Sequence, residues 1–186
     1  MTGHRVCPWW LGYWLASPLR RVYYRPSTIL SPYVHTGMTV LEPGPGMGFF
    51  TVELARLVGA SGRVVAVDIQ SKMLDGLRRR LSKAGLADRV DMRLAKPGSM
   101  GVNDLSGVVD FVFAFAVVHE LPSADSFFLE VHKVLKPGGQ LLLCEPTGHV
   151  SNELFEAERA AAARAGLLPV QGPVIRRSRA TLFKKV

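Results

Sequence analysis

The run Val40-Leu41-Glu42-Pro43-Gly44-Pro45-Gly46-Met47-Gly48 constrains the fold of this 186-residue chain more than any other stretch. A short apolar segment from Met38 to Leu41 ends in a carboxylate, and glycines follow at 44, 46 and 48 before a helical pattern begins at Phe49. Glycine lacks a Cβ, so a strand that stops in such a turn lets main chain approach a ligand closely. A second apolar run, Val64-Val65-Ala66-Val67, ends in Asp68, 20 residues after Gly48. An acid at the tip of the second strand of a βαβ unit suits a pair of ribose hydroxyls.

The dinucleotide fingerprint requires G-x-G-x-x-G. Gly44 and Gly46 fit, but Phe49 stands at the third position and the glycine falls at Gly48. Glu42, just ahead, would repel a pyrophosphate and suits a ligand that carries an ammonium group. A nicotinamide-dependent oxidoreductase is disfavoured on both counts.

The loop resembles the first motif of the class I S-adenosylmethionine-dependent methyltransferases, E/D-x-G-x-G-x-G. Further segments match in the family's order. Asp68 matches the ribose-binding acid, Asp110 to Ala116 the fourth strand, and Leu135-Lys136-Pro137-Gly138-Gly139 before Gln140 to Leu143 the turn into strand five. Together they span roughly residues 37–146, and the chain is similar to the small-molecule subgroup that includes the quinone-biosynthesis C-methyltransferases. The resemblance implies S-adenosyl-L-methionine as cofactor and a small-molecule acceptor. It assigns Glu42 to the methionyl amine, Gly44, Pro45, Gly46 and Gly48 to the methionine portion, Asp68 to the ribose, and Ile69 to the adenine face. Phe115 with Ala116 would line the methyl pocket. The acid that often follows strand three is missing, because Leu94 leads into Ala95-Lys96-Pro97. Lys96 cannot accept a hydrogen bond, so backbone near Ala95 would have to read adenine.

Alternation of strands and helices predicts a parallel sheet. Strands are expected at 39–42, 63–68, 90–94, 110–116, 140–144, 168–174 and 180–185, and helices at 48–58, 71–84, 124–135 and 152–165. The fold class is therefore α/β, a doubly wound, mostly parallel seven-stranded sheet with helices on both faces and an N-terminal helical arm; the family resemblance makes the last strand antiparallel. Residues 1–36 form the arm and 37–186 the cofactor-binding domain. Ser27 is a candidate cap for a short helix in the arm, and Pro26 interrupts any longer one. The aromatic segment Trp9 to Leu15 reads as a lid over the cofactor, as padding on the sheet, or as an interfacial anchor at a membrane surface.

His119 is the candidate acid/base in Val117-Val118-His119-Glu120-Leu121, and helix capping by His119 and Glu120 is the competing role. Phe115-Ala116-Val117-Val118 replaces the N/D-P-P-Y-type sequence of enzymes that methylate DNA bases or glutamine. A metal site built from His119, Glu120, Glu145 and His149 does not follow a recognised ligand spacing, so none is expected. Cys7 and Cys144 are too few for a disulfide framework, which suggests a reducing cytoplasm. Val6 to Ala16 is broken by Pro8 and Gly12 and lacks a convincing cleavage site, against a secretory signal. The net charge of +8 resides at the ends: residues 1–41 and 167–186 hold nine Arg and Lys and no acid. Those ends are the sole support for a methyltransferase of RNA or protein; no recognition module accompanies them, so nucleic acid is disfavoured as a partner. A non-catalytic cofactor-binding subunit is the other alternative.

Overall fold

A computed structural model describes residues 23–186, so the Trp9–Leu15 segment, Cys7 and most of the arm lie outside the described residues. The order is α1 (Pro26–Leu30), β1 (Thr39–Pro43), α2 (Thr51–Leu57), β2 (Arg63–Asp68), α3 (Ser71–Ala84), β3 (Val90–Leu94), β4 (Val109–Phe115), α4 (Ala124–Val134), β5 (Leu135–Pro146), α5 (Asn152–Arg164), β6 (Leu167–Val170) and β7 (Ser178–Lys185). The seven strands form one sheet in the order β3-β2-β1-β4-β5-β7-β6. Its described residues fall into two compact units, 23–95 and 96–186.

In the first unit β1 pairs in parallel with β2, and β2 with β3. Val40, Leu41, Val64, Val65 and Ala66 are fully buried, as strands covered on both faces require. β3 reads Val-Asp-Met-Arg-Leu and is only half-buried, the composition of an edge. α3 occupies the predicted span. Gly85, at φ 67°, ends it by donating to Leu81 and Ser82 carbonyls. The short helix in the arm starts two residues earlier than a Ser27 cap would place it. Pro26 stands in its first turn, where a missing N–H costs nothing, and no side chain caps it.

In the second unit β4 and β5 are parallel, while β7 runs antiparallel to both β5 and β6. Phe111, Phe113, Phe128 and Phe183 fill its interior. β5 is longer than expected. Its ladder begins at Leu135, opposite Val109, then resumes with Gln140 opposite Phe111, so the Lys-Pro-Gly-Gly segment is a bulge within the strand. Gly139 is needed there because a Cβ would lie 2.9 Å from the Lys136 carbonyl oxygen. Ser123 and Ser151 cap α4 and α5, accepting from Ser126 N at 3.1 Å and Leu154 N at 3.2 Å.

Candidate functional site

The glycine loop shapes the first unit's site. Gly44 N donates to the Val67 carbonyl at 2.8 Å, which pins the loop across the tip of β2, and Gly48 N donates to the Pro45 carbonyl at 3.0 Å. Gly44, Gly46 and Gly48 all have left-handed backbone, at φ 65°, 54° and 83°. Two of them also answer to space. Among the described residues a Cβ on Gly46 would meet nothing within 4 Å, whereas one on Gly48 would lie 2.5 Å from Leu77 Cδ1 on α3. Gly46 is thus an open position that faces available room, and Gly48 is a packing contact. The helix expected from Gly48 begins only at Thr51, because φ 83° cannot belong to a right-handed helix. Donors at this site therefore come from the loop and not from a helix terminus. Pro45 is buried beneath the loop. Met47 turns inward against Met73, where Gly76 leaves room for its thioether.

Glu42 is 3 % exposed, and among the described residues its Oε2 has no hydrogen-bond partner. Burial pushes its carboxyl up to about 8; the Thr51 hydroxyl draws it down, and Asp68 nearby raises it again. Thr51 Oγ1 is close enough for that effect yet outside hydrogen-bond geometry. An orphaned buried carboxyl at a strand tip carries a penalty that a cation would lift. Asp68 is 8 % exposed. Its Oδ1 accepts from Gln70 N at 2.9 Å and its Oδ2 from Gly46 N at 3.3 Å. Burial raises its pKa, and backbone donors at Gln70, Gly46 and Ile69 oppose the rise. Each oxygen keeps a further lone pair for a ligand hydroxyl. Ile69 is 43 % and Leu94 61 % exposed at the tips of adjacent strands, two large apolar side chains left open beside the acid. Ala95 N already donates to the Asp68 carbonyl at 2.9 Å, so that N–H is not free to read a base.

In the second unit Phe115 ends β4 and is 8 % exposed. Ala116 follows at φ 55°, a strained value for a residue with a Cβ, and its N–H holds the Cys144 carbonyl at 2.8 Å. The chain then makes a single 3-10 turn, Val118–Glu120. His119 Nδ1 lies 2.7 Å from Glu145 Oε2, while Glu145 Oε1 accepts from Val118 N at 2.9 Å and His119 N at 3.4 Å. Glu145 is fully buried. Its hydrogen bond raises the His119 pKa, which burial opposes and the charges of Glu145, Glu120 and Glu158 reinforce. The His149 ring stacks at 6.5 Å. Among the described residues no three His, Cys, Asp or Glu side chains are arranged to hold a metal ion.

Sequence reasoning grouped Glu145 with His119 as a metal alternative and through the loops that would wall the acceptor pocket, but not as a hydrogen-bond partner, and it missed Glu158. The signal was present in α5: Phe155, Glu158, Ala161 and Ala162 form its buried stripe, and one member is a carboxylate. Glu158 is 2 % exposed, neither oxygen has a partner among the described residues, and burial, then Glu145, push its pKa to about 8 against the pull of His119.

Residues 34–168 match a family model described as a methyltransferase domain. The chain is 30 % identical over 151 residues to the ubiquinone/menaquinone biosynthesis C-methyltransferase UbiE of Hahella chejuensis, covering 80 % of this chain and 58 % of that protein. It is 34 % identical over 109 residues to an arsenite methyltransferase of Halobacterium salinarum, 59 % of this chain and 27 % of the relative. The chain thus spans little more than half of the first of these curated relatives and about a quarter of the second. Among solved structures, a SAM-dependent methyltransferase from Aquifex aeolicus superimposes with a TM-score of 0.86 at 24 % identity, covering 97 % of this chain and all of that one, which establishes the shared fold. With the match extending from the end of the arm into β6, this chain belongs to the methyltransferase-domain family.

Proposed function

We propose that this chain is an S-adenosylmethionine-dependent methyltransferase acting on a small-molecule acceptor. The observation that carries the reading is Glu42: a buried carboxyl with an unpartnered oxygen beside a left-handed glycine loop. An ammonium group placed there would gain an anionic partner and return Glu42 to its charged form. Gly44, Pro45, Gly46 and Gly48 provide main chain for the amino-acid end of the cofactor. Asp68 accepts from the ribose hydroxyls, Ile69 lies against adenine, and Ala95 contributes at most its carbonyl. Phe115 is assigned to the methyl end. When bound, S-adenosylmethionine supplies an electrophilic sulfonium methyl, so the protein's remaining tasks are alignment and exclusion of water. Residues 1–36 are assigned to cover the site, and His119 to take a proton from the acceptor. The two relatives, one named for quinone biosynthesis and one for arsenite, are both named for small molecules, which supports that class.

Calorimetry with S-adenosylhomocysteine tests the reading. The wild type should bind it, and NAD should give no heat. Asp68→Ala should weaken binding by about 1.5 kcal/mol or more, the scale of hydrogen bonds to a charged group. Equal affinity in the variant and the wild type would remove Asp68 from the site, and no binding to the wild type would remove the reading.

A further inference from the structure

Three elements of the second unit converge on one imidazole. The 3-10 turn carries His119 and Glu120, β5 brings Glu145 with His149 just beyond it, and α5 contributes Glu158. The two oxygens of Glu145 divide their work. Oε1 takes two backbone N–H groups of the turn, at 2.9 and 3.4 Å, while among the described residues Oε2 accepts only from the His119 ring, at 2.7 Å. Capping the turn requires the first oxygen only. The second has no structural debt to settle, and it meets a ring whose outer nitrogen is held off from Glu120 Oε1 by 4.0 Å, beyond hydrogen-bond reach.

We infer that Glu145 is a positioning residue: it fixes His119 as the Nδ1–H tautomer, with a bare Nε2 that accepts a proton from an acceptor bearing an acidic O–H, a phenol or enol. The inference rests on the methyltransferase reading and names the acceptor class for it. A carboxylate only accepts, so Nδ1 must be the donor and the lone pair of the neutral ring sits on Nε2. The proton step is simple. The acceptor O–H bond breaks, its electron pair stays on the acceptor to take the methyl group, and an N–H bond forms at Nε2. The resulting imidazolium is matched by buried Glu145, and the ring, 19 % exposed, passes the proton to water. A neutral amine already has its attacking pair and loses a proton only after the new bond forms, so such a base gains it little. Raising the ring's basicity brings it closer to a phenol, which favours transfer. The strained Ala116, three residues upstream and tied to the Cys144 carbonyl, holds the turn's entry where Glu145 can reach it.

Long-range nitrogen–proton NMR on histidine-labelled protein reads the ring directly, with His119→Asn identifying its signals. The expected wild-type ring is protonated at Nδ1 when neutral and titrates above its ordinary value. Glu145→Gln should lower that midpoint by about one unit or more, on the scale of losing an adjacent charge. Glu158→Gln should lower it by less. A neutral ring protonated at Nε2 overturns the inference, and that wild-type measurement stands even if Glu145→Gln does not fold. So does a midpoint that Glu145→Gln leaves in place. S-adenosylhomocysteine titrations of the same samples separate the two readings. Absence of heat with the wild type ends the cofactor reading, while ring behaviour decides the role of Glu145 on its own. For the acceptor class, methyl transfer to hydroquinone and to benzylamine is compared from pH 6 to 9. Hydroquinone should be the better acceptor, with its rate rising through the His119 midpoint and falling about 100-fold in His119→Asn, as loss of a general base does. Preference for benzylamine, or no hydroquinone product at any pH, overturns the class.

Discussion

Glu42 concentrates the site's energetics in one side chain. It is buried with an oxygen unpartnered, so the unliganded fold carries a polar group that water would have served better. Its carboxyl is held un-ionised in the fold up to about pH 8 and ionises freely in the unfolded chain, so Glu42→Gln, which cannot ionise, should raise unliganded stability at pH 8 by about 1–3 kcal/mol, as measured by urea unfolding. The same change should weaken S-adenosylhomocysteine at least about tenfold, or about 1.4 kcal/mol. If stability rises while affinity holds, Glu42 does not touch the ligand. Ala116 is the second residue where local conformation opposes sequence preference. At φ 55°, Ala116→Val should cost about 2 kcal/mol, since a β-branched side chain tolerates that region poorly. Ala116→Gly should be neutral or slightly stabilising; if valine is tolerated equally, the strain is absent.

At the scale of elements, the sequence located β2, α3 and β3 to the residue, because alternation, helical spacing and the glycine after Ala84 all agreed there. The start of α2 was not legible. Phe49 and Phe50 continue the helical spacing of the residues beyond them, but Gly48 at φ 83° forces an intervening turn, and φ is not written in a hydrophobic pattern. The same limit hid the β5 bulge, where Pro137 and Gly138 read as a stop although the ladder with β4 had already begun. Within the candidate site, the meeting of Glu42, Asp68 and the glycine loop was legible because both acids end neighbouring parallel strands with the loop between them in sequence. The His119 partnership was not, since Glu145 lies 26 residues away and Glu158 39. Only tertiary structure brings them into one electrostatic set. Gly48→Ala tests the loop as an element. A Cβ there would stand 2.5 Å from Leu77 Cδ1 at a left-handed position, so the variant should lose about 2–4 kcal/mol in chemical denaturation. Gly46→Ala, which meets no neighbour, should lose about half that or less, through φ alone.

For the whole molecule, four groups below pH 9 shift in the same direction. Glu42 and Glu158 are raised to about 8, and Asp68 and His119 are raised above their ordinary values. Each is more readily protonated in the folded chain than in the unfolded one. The stability they contribute is complete below their unfolded values and is lost as pH rises through the folded ones. Melting temperature should therefore fall between about pH 5 and 8.5, and Glu42→Gln with Glu158→Gln should flatten the profile. A profile that climbs through that window in both proteins would show that these groups are not buried as described. Among the described residues no helix is long and apolar enough to cross a membrane. On the proposed reading, the open oxygen of Glu42 has a consequence beyond binding. Where the cofactor partners that oxygen, its binding favours the folded chain; in starved cells the vacant form would open more readily and be degraded, so abundance would track supply with no dedicated sensor.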